Sequence, residues 1–207
     1  MKKMYKGMLL VLCAILLVVA SVMGTLAYLQ DETKTITNVM TVGNVKITLS
    51  ESVVDVYGKV TTGKIVADAN GVIGESNSYK LIPGRAYTKD PTIHVDDNSE
   101  NCWLFVEVVN PIAGIEETDQ NDGYATIAEQ MAANGWKKLN SVDNVYYHDV
   151  VSAGANVIVF DHFKIEDSFN GAGNYADVTV TAYAVQAEGF ASAQDAWGAT
   201  FGAPTNP

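Results

Sequence analysis

Cysteine, proline and basic residues are the scarce components of this chain: two Cys, five Pro and 13 Lys and Arg in 207 residues. Cys13 falls in an N-terminal apolar run, which leaves Cys102 alone beyond it. No disulfide can form within that remainder, so its stability must come from packing. The 13 basic residues face 24 Asp and Glu, a formal charge of -11, and Lys2, Lys3 and Lys6 are set apart at the extreme N-terminus. A surface this acidic repels phosphate backbones, which excludes nucleic acid as a partner and disfavours an anionic membrane surface. Charged residues make up 18% and hydrophobic ones 48%, a balance foreign to disordered acidic tails and to coiled coils. A Gly-rich phosphate loop, G-x-S-x-G and H-E-x-x-H are all missing, so no catalytic residue, metal site or cofactor is expected from a motif.

One long apolar run is present, from Met8 to Met23, behind the positive segment Met1–Lys6. Gly24-Thr25-Leu26-Ala27 follows, with Thr25 and Ala27 at the −3 and −1 positions of a peptidase site and Tyr28 just after the cut. Residues 1–27 are therefore expected to be a signal peptide that is removed. The alternative is a retained anchor. However, the run is shorter than the roughly 20 residues of a spanning helix, and no basic stop-transfer cluster follows. The expected product is secreted and not embedded in a membrane.

Beyond Tyr28 the dominant period is two. Val45, Ile47 and Leu49 alternate with Lys46, Thr48 and Ser50, the pattern of a half-buried strand. Further strand-like runs are Tyr79–Ile82 before the turn Pro83-Gly84, Thr92–Val95, Trp103–Val109, Val145–Tyr147, Asn156–Phe160 and Val178–Val185. Many short strands with Gly and Pro punctuation predict an all-β fold, a jelly-roll-like antiparallel sandwich. Two short helices interrupt it. Thr126-Ile127-Ala128-Glu129 is a capping box that runs to Asn134-Gly135, and Ser192-Ala193-Gln194-Asp195 is a weaker start with Trp197 one turn in. Residues 43–207 are expected to be one domain.

Three groups of side chains merit weighing as sites. His148-Asp149 and Asp161-His162 could converge through a strand–turn–strand and face a metal, although solvated or backbone-bonded histidines are the commoner arrangement. Aligning Gly123 with an EF-hand glycine puts Thr118, Gln120, Asp122 and Glu129 at ligand positions, but the Thr and Gln break the pattern and no paired helices flank it. The loop Asp96–Asn101 is a looser carboxylate cluster. Among the aromatics, Trp103, Phe105, Phe160 and Tyr183 lie in apolar strands and read as core, while Tyr146 and Tyr147 fall on opposite faces of one strand. Cys102, inside such a strand, reads as buried filler.

The segments Gly24–Asp31 and Asn38–Ile47 resemble the N-terminus of the TasA/camelysin (CalY) family of SipW-dependent exported proteins of Gram-positive bacteria. The shared features are a small-x-Ala cut, an aromatic residue with a nearby Asp, and then Thr41-Val42-Gly43-Asn44-Val45-Lys46-Ile47. Leu81-Ile82-Pro83-Gly84 with Lys89 is similar to a family turn. Val150–Gly154 with Phe160-Asp161 resembles an "AGE…LFD" segment in which Ala155 replaces the usual Glu. The ending Ala182–Phe190 also fits.

The resemblance implies a jelly roll, processing by a SipW-type signal peptidase, and a structural subunit of an extracellular or biofilm matrix fibre, a homo-polymer rather than an enzyme. It further implies that residues 28–42 form an N-terminal strand donated to the next subunit. That segment is polar and β-branched and lacks Pro and Gly, with Ile36, Asn38, Met40 and Val42 alternating along it. An ordinary first strand in its own sheet is the alternative. Two other functions stay open: a camelysin-like metal-dependent surface protease, which would need His148, Asp149, Asp161 and His162 to converge, and a non-polymerising adhesin.

Overall fold

The computed structural model describes residues 40–42, 44–68, 71–73, 76–119, 123–140, 142–170 and 175–202, with the backbone alone at 40–42 and 71–73. Thr25, Ala27, Tyr28, Ile36 and Asn38 lie outside the described residues. Among the described residues, twelve strands, numbered in chain order, form two five-stranded sheets and one two-stranded sheet. In the first sheet the order is β1 (Met40–Val42), β12 (Thr179–Gln186), β7 (Cys102–Val109), β9 (Val145–Val151) and β8 (Lys137–Lys138). In the second it is β10 (Asn156–Ile158), β6 (Thr92–Val95), β2 (Ile47–Val54), β3 (Val60–Asp68) and β4 (Gly71–Ile73). Strands β5 (Ala86–Thr88) and β11 (His162–Lys164) pair with each other. The all-β sandwich expected from the sequence is what forms.

Alternation decides which side chains meet between the sheets. Ile47 and Leu49 of β2 and Ile93 and Val95 of β6 share one buried cluster with Leu104, Val106, Val180, Ala182 and Ala184 of the first sheet. The intervening positions of β7 and β12 point the other way. There Phe105, Val185 and the half-buried Tyr183 pack under a helix, α2 (Ala193–Phe201), through Ala193, Ala196 and Trp197. The first sheet is thus covered on both faces, which is why Cys102–Val108 reads as a nearly continuous apolar run. Tyr146 packs on the inter-sheet core and Tyr147 under the helix, so both rings of the pair are partly covered.

The other helix, α1 (Ile127–Ala133), starts with the expected capping box, the Thr126 hydroxyl accepting from the Glu129 N–H. Ile127 and Met131 enter the core. Gln130 fixes the neighbouring strand by donating to the His162 carbonyl at 2.8 Å and accepting from the Asp161 N–H at 3.0 Å. Helix α2 begins at Ser192, whose side chain accepts from the Asp195 N–H. Between β2 and β3 the chain turns at Gly58, φ 76°, where an added Cβ would lie 2.6 Å from the Tyr87 Cα. Only glycine lets the turn press this closely on β5.

Candidate functional site: the open edge of β12 and its cleft

Strand β12 is paired along its whole length with β7, from Thr179 opposite Val109 to Gln186 opposite Cys102. On its other side β1 runs parallel to it and covers Tyr183 to Val185. Met40 falls opposite Tyr183 and Val42 opposite Val185. Among the described residues, Thr179–Ala182 have no strand partner on that side. Unpaired N–H and C=O groups along such an edge are a template for another strand.

Beside this edge lies a shallow cleft lined by Val178, Thr179 and Val180 together with Leu49, Ser50 and Glu51. A second hollow continues it past Tyr79, Leu81 and Tyr175, and the two share Asn77, Lys89, Asp177 and Val178. The lining mixes apolar side chains such as Leu49, Ile65 and Val180 with polar groups, which converge at one place. Lys89 donates to Glu51 Oε2 at 2.9 Å, and both side chains are largely buried. Asn77 Nδ2 donates to Glu51 Oε1 at 2.8 Å and to the Ser52 carbonyl at 2.8 Å, while its Oδ1 accepts from the Val54 N–H at 2.9 Å.

The Tyr79 hydroxyl donates to Glu51 Oε1 at 3.3 Å and to the Thr88 carbonyl at 3.1 Å. Burial, aided by the charge of Glu51, pushes this phenol well above its ordinary value, so it is a neutral donor at any physiological pH. Next to the cluster, Ser52 donates through both its N–H and its hydroxyl to Asp90, at 2.7 Å each. The residues of this network are spread from Glu51 to Lys89 and share no local pattern; of the four, only Lys89 stood out in the sequence, in the turn segment similar to the family's.

The histidines do not converge as the strand–turn–strand expectation required. After β9 the turn at Gly154 sends the chain into the second sheet, where β10 pairs with β6, and then into the small sheet as β11. Each imidazole finds a different partner. His148 Nδ1 contacts the Asp149 carbonyl oxygen at 3.0 Å, His162 Nδ1 pairs with Asp161, and His94 Nδ1 contacts Asn156. No group of three or more His, Cys, Asp or Glu side chains among the described residues is placed to hold a metal ion. In the Asp96–Asn101 loop, Asp96 accepts from the Asn98 N–H and pairs with Lys46 at 3.2 Å. Glu129 is committed to its cap, accepting from the Thr126 N–H at 2.8 Å; Gln120 and Asp122 lie outside the described residues.

Cys102 is fully buried, and burial pushes its thiol up to about 12, which leaves it inert as filler. A carboxylate that sequence patterning missed is Glu116, which is buried, binds Asn110 and accepts from the Ile127 N–H at 2.7 Å. It anchors the start of α1 from eleven residues upstream. No helix among the described residues is long and apolar enough to cross a membrane.

No protein-family model, curated protein or solved structure matches this chain. What it does must be argued from the edge and the cleft.

Proposed function

We propose that this protein is an exported structural subunit that assembles with copies of itself into an extracellular fibre, each copy laying its N-terminal segment on the β12 edge of the next. The observation that carries the proposal is the partial cover of that edge. Among the described residues β1 pairs only with Tyr183 to Val185, and Thr179 and Val180 line a cleft of mixed polar and apolar side chains. A segment with alternating apolar side chains would gain backbone hydrogen bonds from the edge and bury side chains in the cleft. The resemblance of residues 24–47 to the TasA/camelysin family supports the same reading, together with removal of residues 1–27 by a SipW-type peptidase and a jelly-roll ancestry for the sandwich.

The test is electron microscopy of the chain beginning at Tyr28 beside a chain beginning at Val42. Filaments from the first and monomers from the second are expected. Monomers from both, with an intact all-β spectrum, overturn the proposal.

A second reading, a non-polymerising adhesin, is favoured by one surface feature. Val56, Tyr57 and Val60 are each 41% to 50% exposed at the β2–β3 turn, and the Arg85 guanidinium sits 4.9 Å over the Tyr57 ring. Exposed apolar and aromatic groups held in a fixed shape suit a contact surface. Loss of surface attachment in Tyr57→Ser, with no filaments from either protein and the all-β spectrum unchanged, would assign adhesion to this turn.

A further inference from the structure

Three groups in the wall of the cleft are arranged for a reaction that strand exchange does not use. A primary amine (Lys89), a carboxamide (Asn77) and a carboxylate (Glu51) meet in a largely buried pocket, with one carboxylate oxygen on the amine and the other on the amide nitrogen. Amine and amide are therefore held side by side by the same group. The amide carbonyl is polarised as well, because Asn77 Oδ1 accepts the Val54 N–H at 2.9 Å; that bond stabilises negative charge on the oxygen when a nucleophile adds. The Tyr79 ring lies 6.0 Å from Lys89 Nζ and edge-on to Phe163, and thins the water around the group. Asn77 and Lys89 both line the two hollows, which gives a small leaving molecule a way out.

We propose that Lys89 and Asn77 join in an intramolecular isopeptide bond, with Glu51 carrying the proton. The Lys89 ammonium passes one proton to the Glu51 carboxylate, and the free amine adds to Cγ of Asn77. The tetrahedral intermediate collapses as the attacking nitrogen gives up its second proton to the amide nitrogen, which departs as ammonia and then takes the proton held by Glu51 to leave as ammonium. One C–N bond forms and one breaks, Glu51 returns to a carboxylate, and no oxidant or cofactor is consumed. Holding both reactants on one carboxylate lowers the entropic cost of bringing them together. The bond ties the segment before the Pro83-Gly84 turn to the end of β5, and gives a chain with no available disulfide a covalent closure. It is independent of whether the protein polymerises.

The test is mass spectrometry of the folded, processed protein with its N-terminus fixed by sequencing. The expected intact mass is about 17 Da below that of the sequence, the mass of one ammonia. Trypsin should fail to cut after Lys89 and should yield residues 65–80 joined to residues 86–137. Lys89→Arg, which keeps the charge beside Glu51 but cannot form the bond, and Asn77→Ala should both have the full mass expected from their sequences. Glu51→Gln retains both reactants and should also have its full mass. A wild-type protein at full sequence mass with cleavage after Lys89 overturns the proposal, and a bond that still forms in Glu51→Gln contradicts the role given to that carboxylate.

Discussion

The two edges of the first sheet are built in opposite ways. At one end β8 is only Lys137 and Lys138, both exposed, with Lys137 paired to Asp149 at 2.7 Å. A two-residue strand of lysines is a blunt edge: too short and too charged to recruit another chain. At the other end β12 runs for eight residues of Thr, Val, Ala, Tyr and Gln, is propped from behind by α2, and among the described residues is paired with β1 at three positions. One edge is blunt, and the other offers an uncharged strand beside a cleft. With a net charge of -11, copies of this chain repel one another, and the exception is where association is to be sought.

Making the open edge resemble the blunt one should have the largest effect. Thr181→Lys places a charge on β12 outside its described pairing with β1, and filament yield should fall at least about tenfold while stability stays within about 0.5 kcal/mol of wild type by urea denaturation. Removing the support behind the edge comes next. Trp197 packs against Phe105, Tyr183 and Phe201, and Trp197→Ala should cost about 3–5 kcal/mol in the same measurement. The converse change, Lys137→Val with Lys138→Val, should expose β8 to new partners; light scattering should then show concentration-dependent association of a kind the wild-type protein lacks.

The smallest effect is the pH response of the β8 edge. Hydrogen bonding to Asp149 raises Lys137 above its ordinary value. Its contribution is therefore fully present below the unfolded lysine value near 10.5 and is lost as pH rises through the raised folded value. Melting temperature in Asp149→Asn should accordingly differ from wild type slightly at neutral pH and not at all at strongly alkaline pH.

Legibility in the sequence followed the burial of each element. Strand β2 was plain because one face is buried and the other is not, and α1 was plain because Thr126 and Glu129 form a local box. Strand β3 was legible only at Lys64-Ile65-Val66, because its first five residues are exposed and carry no alternation. The turn at Gly154 was read as part of a hairpin, whereas β10 pairs with β6, from an earlier part of the chain. Short strands of this kind choose partners by tertiary packing, which a local pattern does not encode. The Glu51, Asn77, Tyr79 and Lys89 network escaped for the same reason: its hydrogen bonds span 9 to 38 positions. The N-terminal segment gave a period and a composition. The parallel register of β1 on β12 could be known only from the fold.

The most direct measurement of strand donation is disulfide trapping between two single-cysteine chains, one Asn38→Cys and the other Thr181→Cys, with Cys102 buried and out of reach. The account predicts a mixed disulfide dimer when the two are assembled together and oxidised, and much less of it in the presence of excess wild-type chain. Filaments of normal yield with no mixed disulfide, from this pair or from Ile36→Cys with Thr181→Cys, would contradict it.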